Sequence, residues 1–145
     1  MNEADQSPPP SEFFISTDDS YLDLDWLIPT IQSQYWATWR SHETVRGSID
    51  ASLNFGLYRR LPFNKHQQVG FARVVGDATT FSWICDVIVE GKLRGQGLGA
   101  FLMQTIMAHP AVAKTVMLLR TRDQQKFYGR FGFEKVEAMR KMPAP

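Results

Sequence analysis

Apolar positions fall into two rhythms along the second half of this chain. TTFSWICDVIV (79–89) is a β-branched and aromatic run, the composition of a strand. Leu98, Phe101, Leu102, Thr105 and Ile106 then recur at helical spacing, and Pro110 stops that helix near His109. KTVMLLR (114–120) returns to strand, with too little alternation for a wet face, which predicts a central strand. Asp123 is placed to cap a helix carrying Gln124, Phe127, Tyr128 and Phe131. Gly132 can end that helix at positive φ, and a last strand is predicted from Phe133.

The first half is less regular. A short strand is expected at 13–17 and a helix at 24–34, with Leu24, Leu27, Ile28 and Ile31 in step and Pro29 disturbing the register. The aromatic run at 35–39 fits neither period and reads as a helix end or loop. A second helix is expected at 43–52, followed by strands at 54–59 and 68–75 and a turn at Gly76-Asp77. Strands and helices in this order predict an α/β or α+β layer fold with a mixed, twisted sheet flanked by helices. It occupies one domain over residues 13–145. Residues 1–12, rich in proline and acid, read as a disordered tail with no secretory signal.

Composition narrows the classes. With 43% hydrophobic residues in 145, the chain can bury a core of its own. No apolar run approaches the ~18 residues that cross a bilayer, so no membrane partner is expected. The single cysteine, Cys85, favours a reducing, cytoplasmic setting. A net charge of +1 argues against a general nucleic-acid binder. Charge is nonetheless uneven: from Lys92 to Arg130, seven Lys or Arg oppose only Asp123, giving +6 there and −5 elsewhere. Such asymmetry points to a local anion site.

Other chemical candidates are weaker. Cys85 reads as a packing residue, since no base adjoins it in sequence. His42, His66 and His109 lack metal-ligand spacing, and His109 suits the negative end of its helix. Tyr35, Trp36 and Trp39 read as core or pocket wall rather than a base-stacking platform. Asp86 is open between a structural acid and a chemical one; strict alternation would set it on the face opposite Cys85 and Val87.

The anion site has an obvious seat. GKLRGQGLGAFLMQ (91–104) joins a strand to a helix through glycines at 95, 97 and 99. A strand, a glycine turn and a helix start bring backbone N–H groups and the positive helix end to one point, where anions bind. Arg94 adds a cation able to bond phosphate oxygens in pairs. A Walker loop would end in Gly-Lys-Ser/Thr, but Ala100-Phe101 follow Gly99. A dinucleotide fingerprint would space its glycines G-x-G-x-x-G, but here they run G-x-G-x-G.

The loop does resemble the coenzyme A signature of the GNAT N-acetyltransferase superfamily, roughly Q/R-x-x-G-x-G/A. Arg94, Gly97 and Gly99 fill it, with Val87 and Val89 upstream. A second block, Phe127-Tyr128-Gly129-Arg130-Phe131-Gly132-Phe133, is similar to the helix end that such enzymes carry. The chain departs from the pattern at Thr121, where relatives often have Asn, and at Cys85-Asp86, where many have Glu-Asp. The resemblance implies two parallel strands that splay around acetyl-CoA. Val87, Ile88 and Val89 would pair with the pantetheine, and the stretch Arg94, Gly95, Gln96, Gly97, Leu98, Gly99 and Ala100 would hold the pyrophosphate. Tyr128 would protonate the leaving thiolate, and Asp86 is the candidate base. The acceptor would be an amine of a small molecule or peptide, with a homodimer left open. A non-catalytic acyl-CoA-binding or sensing module is the alternative, and an unrelated phosphate-ligand protein is a third.

Overall fold

The computed structural model describes residues 12–145. Residues 1–11, and with them nearly all of the expected tail, lie outside the described residues. Glu12 already belongs to the fold, its carbonyl accepting the Arg60 amide at 2.6 Å.

Five strands form one mixed sheet in the order β1 (Phe13–Ser16), β2 (Leu53–Leu61), β3 (Lys65–Gly76), β4 (Phe81–Val89), β5 (Val116–Leu119). Neighbours run antiparallel except β4 and β5, which are parallel as expected and joined by the helix α3 (Leu98–Ala108). Helices α1 (Leu24–Gln32) and α2 (His42–Asp50) lie between β1 and β2 in sequence. Asp23 caps α1 through the Trp26 amide, and Ser41 caps α2 through the Thr44 amide.

Two cores sandwich the sheet. Leu27, Ile28 and Ile31 of α1 and Val45 and Ile49 of α2 pack with Phe71 and Ile88 on one face. Leu102, Met103 and Ile106 of α3 pack with Phe55, Ala72, Val74 and Ile84 on the other. The molecule is thus a single α/β domain with helices on both faces of a twisted sheet. Among the described residues no helix is long and apolar enough to cross a membrane.

Two expectations need correction. β5 is an edge strand rather than a central one, because residues 133–145 add no strand beside it. The physical reason lies in FEKVEAMRKM: Phe133, Val136, Met139 and Met142 recur every third residue, so no strand face forms. Asp123 does not cap the last helix, α4 (Gln125–Gly129). The Thr121 hydroxyl instead accepts the Gln124 amide at 2.9 Å. His109 stands at the C-terminal end of α3, as expected, and its Nδ1 accepts the Ala111 amide at 3.0 Å.

Candidate active site

The glycine loop forms an amide cradle. Gly97 is the N-cap of α3 at φ 78°, a left-handed conformation that a residue with a side chain resists. With no side chain there, the first turn of α3 has no side-chain cap. The amides of residues 95–100 donate no hydrogen bond to any described residue, and the first bonded amide is that of Phe101, to the Gly97 carbonyl. Gly95 also has positive φ (85°), and a Cβ built there would meet nothing within 4 Å. Six unengaged N–H groups at a positive helix end, open on one side, fit a pyrophosphate. Gly99 serves packing instead: a Cβ there would come within 3.2 Å of the Phe127 ring. Arg94 stands exposed at the entrance.

Just upstream, the sheet opens. β4 pairs with β5 only from Phe81↔Val116 to Ile84↔Leu119, so residues 85–89 have no partner strand on that side. On the other side Val89 and Ile88 remain paired to Gly70 and Phe71 of β3. Between them the register slips, because Asp86 and Val87 together oppose Ala72. Asp86 takes φ 51° in this bulge, a conformation that aspartate tolerates better than most residues. The bulge inverts the strand's parity. Ile84 packs with α3 while Ile88, four residues on, packs with α1 and α2.

The same bulge turns Asp86 toward the α1/α2 face, on the side of Arg73, whose Cα partner is Cys85. Strict alternation therefore misplaces it relative to Cys85. Its carboxylate is nearly inaccessible and accepts from Trp36 Nε1 (2.8 Å), Arg40 Nη1 (3.0 Å to each oxygen) and Arg73 Nε (2.7 Å). Burial pushes the carboxyl up, but the charge and hydrogen bond of Arg73, the charge of Arg40 and the Trp36 bond outweigh it. The net result lies below the ordinary carboxylate range. Such a group is a weak base. Beside it, burial pushes the half-buried Cys85 thiol up, as befits a packing residue rather than a nucleophile.

Tyr128 stands where the opening meets α4. Burial pushes its phenol up to about 12, and Tyr35 adds to the shift, so the hydroxyl keeps its proton at neutral pH. Phe127 and Phe133 hold the ring edge-on, with centroids 5.0 and 6.0 Å away. Tyr35, from the loop after α1, carries the Arg122 guanidinium 3.8 Å above its ring and meets Trp36 edge-on at 5.0 Å. The loop after α1 and the loop before α4 thus approach each other across the gap. Val87 packs with the α3 cluster, Ile88 with α1 and α2, and Val89 with Leu93 and Leu98.

Sequence reasoning missed Arg40 and Arg73, and counted Arg122 only among the cations from Lys92 to Arg130 that point to an anion site. A signal existed for Arg73, the single charge inside the apolar run VGFARVV. Nothing local marked Arg40.

The chain matches the acetyltransferase (GNAT) domain family over residues 53–135. A candidate GNAT acetyltransferase from Xanthomonas campestris pv. campestris superposes with a TM-score of 0.80 at 33% identity, over 90% of this chain and 94% of that one. A candidate acetyltransferase of Gibberella zeae is 23% identical over 138 residues, 82% of this chain and 77% of its own length. N-acetylglutamate synthase from Neisseria gonorrhoeae, solved with coenzyme A and N-acetyl-glutamate, shares the fold at 16% identity. Its TM-score is 0.61, over 86% of this chain and 29% of that one. The fold, the opened β4–β5 pair and these matches agree: the protein belongs to the GNAT acetyltransferase family.

Proposed function

We propose that the protein transfers the acetyl group of acetyl-CoA directly to an amine of a small molecule or peptide. The observation that carries this reading is the alignment of an uncapped amide cradle with an opened strand edge and a half-buried, protonated tyrosine. In this reading the amides of residues 95–100 and Arg94 hold the pyrophosphate. Backbone groups of residues 87–89 pair with the pantetheine amides as an added strand would. Acetyl-CoA supplies the activated thioester carbonyl.

The protein's own residues then divide the work. The Val87 amide, set by the bulge, donates to the carbonyl oxygen as it gains charge. Tyr128 donates its proton to the departing sulfur. Asp86, expected from the sequence as the base, acts here as a positioning residue, because three donors already hold its carboxylate. The acceptor's ammonium first loses one proton to water, helped by a positive surrounding that lowers its pKa, and the free amine attacks. The second proton its nitrogen sheds as the amide forms goes to solvent, from which the Tyr128 phenolate is reprotonated. The free thiol of Cys85 fits a reducing, cytoplasmic setting.

A thiol-release assay over a panel of amines, run beside calorimetry with coenzyme A, tests the reading. Binding with turnover of at least one amine supports it. Binding without turnover of any amine favours the non-catalytic sensing module. Absence of binding at millimolar coenzyme A removes both.

A further inference from the structure

The α1/α2 side of the opening carries more positive charge than it cancels. The side chains of Arg40 and Arg73 are only 15% and 12% exposed, and both lean on the one carboxylate of Asp86. Among the described residues no second carboxylate pairs with either. Near-buried arginines normally come matched with acid, because an uncompensated buried charge is expensive. Donors also remain unused. Arg40 engages Asp86 through Nη1 alone, leaving Nε and Nη2, while Arg73 uses Nε on Asp86 and Nη1 on Ser52 Oγ (3.3 Å), leaving Nη2.

Arg122 extends this excess toward the gap. It stacks on Tyr35 and pairs with no carboxylate among the described residues, and Tyr35 in turn borders both Trp36 and Tyr128. Two further titratable neighbours add no negative charge to that of Asp86. Tyr128 holds its proton and burial keeps the Cys85 thiol protonated. The proposed phosphate cradle does not reach Arg40 and Arg73, since α3 packs on the opposite face of the sheet from α1 and α2.

We propose, on the basis of the acetyl-transfer reading above, that the acceptor amine bears an anionic group, carboxylate or phosphate, recognised by Arg40, Arg73 and Arg122. The arginines then serve twice. They anchor the acceptor's anion, and their field depresses the pKa of its ammonium, which supplies free amine without a dedicated base. The aromatic wall of Tyr35 and Trp36 is amphipathic enough to pack beside such an acceptor without opposing its charge.

The test uses the full chain with acetyl-CoA, following thiol release on matched acceptors. α-Amino acids are set beside their carboxamides and decarboxylated amines, and phosphoethanolamine beside ethanolamine. The anionic member of at least one series should exceed its neutral partners in kcat/KM by about tenfold or more, the value of a charge-assisted hydrogen bond. The series in which this occurs identifies carboxylate or phosphate. Arg122→Gln, an exposed position that should fold normally, should raise KM for the anionic acceptor ~10-fold with kcat little changed. It should leave the neutral partner's KM alone, and Arg122→Lys should restore part of the loss. Equal or better turnover of neutral amines overturns the proposal and leaves acetyl transfer standing. So does coenzyme A binding without turnover of any anionic acceptor. Loss of coenzyme A binding itself overturns the acetyl-transfer reading along with the proposal.

Discussion

The two sides of β4 are built on opposite principles. Toward α3, the cradle is made of backbone: six consecutive residues present amides, and side chains matter mainly by being absent. Toward α1 and α2, the cluster is made of side chains, and Trp36, Arg40, Arg73 and Asp86 come from distant stretches of the chain. A backbone site depends on local conformation and tolerates most sequence change outside its glycines. A side-chain site depends on charge balance and fails when one member is removed. The first suits a cofactor common to a whole family. The second suits an acceptor that varies from one member to the next.

The largest expected effect tests the backbone side. Gly97→Glu forces a side chain into a left-handed conformation and adds negative charge at the proposed phosphate seat. Coenzyme A binding by calorimetry should become undetectable while thermal unfolding stays cooperative. Retained micromolar affinity would mean that the cradle lies elsewhere.

Tyr128→Phe comes next. It removes only the hydroxyl, so kcat should fall ~10²–10⁴-fold with coenzyme A affinity barely moved. In the unsubstituted protein, kcat should stay flat through the alkaline range and decline only as pH nears the phenol's value of about 12. The sign follows from the shift: burial raises the pKa, so the proton needed for donation is held longer. An unchanged kcat in Tyr128→Phe, with chemistry as the slow step, ends the assignment.

Asp86→Asn probes the side-chain cluster. Asparagine tolerates the left-handed bulge as aspartate does, which isolates the charge. Stranding Arg40 and Arg73 should lower stability by about 3–5 kcal/mol, read by urea unfolding. The pH dependence has a definite sign. The folded carboxyl lies below its unfolded value, so its contribution is present above the unfolded pKa of ~3.9 and fades as pH falls through the folded one. Asp86→Asn should flatten that acid limb. A fully stable variant whose activity is low at every pH and has lost its acid-side rise would instead restore Asp86 as the base.

Gly99→Ala should do least. Its Cβ would approach only the end of the Phe127 ring, which can shift by a few tenths of an ångström. A loss of roughly 1 kcal/mol or less is expected, with coenzyme A binding intact. This separates the packing glycine from its conformational neighbours at 95 and 97.

Much of the α3 side was legible in the sequence because its parts are contiguous. RGQGLGA followed by an apolar helical stripe encodes a turn and an uncapped helix start within a dozen residues. The parallel β4–β5 pair was implied by the family resemblance, and the length of the helical connection allowed it. Errors arose where a partner had to be known. The apolar run at 114–120 read as central, yet an edge strand with half-buried residues on both faces has the same pattern. Asp123 and Thr121 both lie ahead of α4, and only the folded loop chose the threonine.

By itself the sequence determined the local half of this protein: the order of elements, the glycine conformations at the start of α3, and the presence of Tyr128 on the following helix. These depend on φ/ψ preference and apolar period, which short stretches carry in full. The tertiary structure alone decided the bulge at Asp86, the side to which its carboxylate turns, and the gathering of Arg40, Arg73 and Arg122 around the opening. A bulge is a mismatch between two strands, and a charge cluster is a meeting of several. Neither exists until chain segments tens of residues apart have packed.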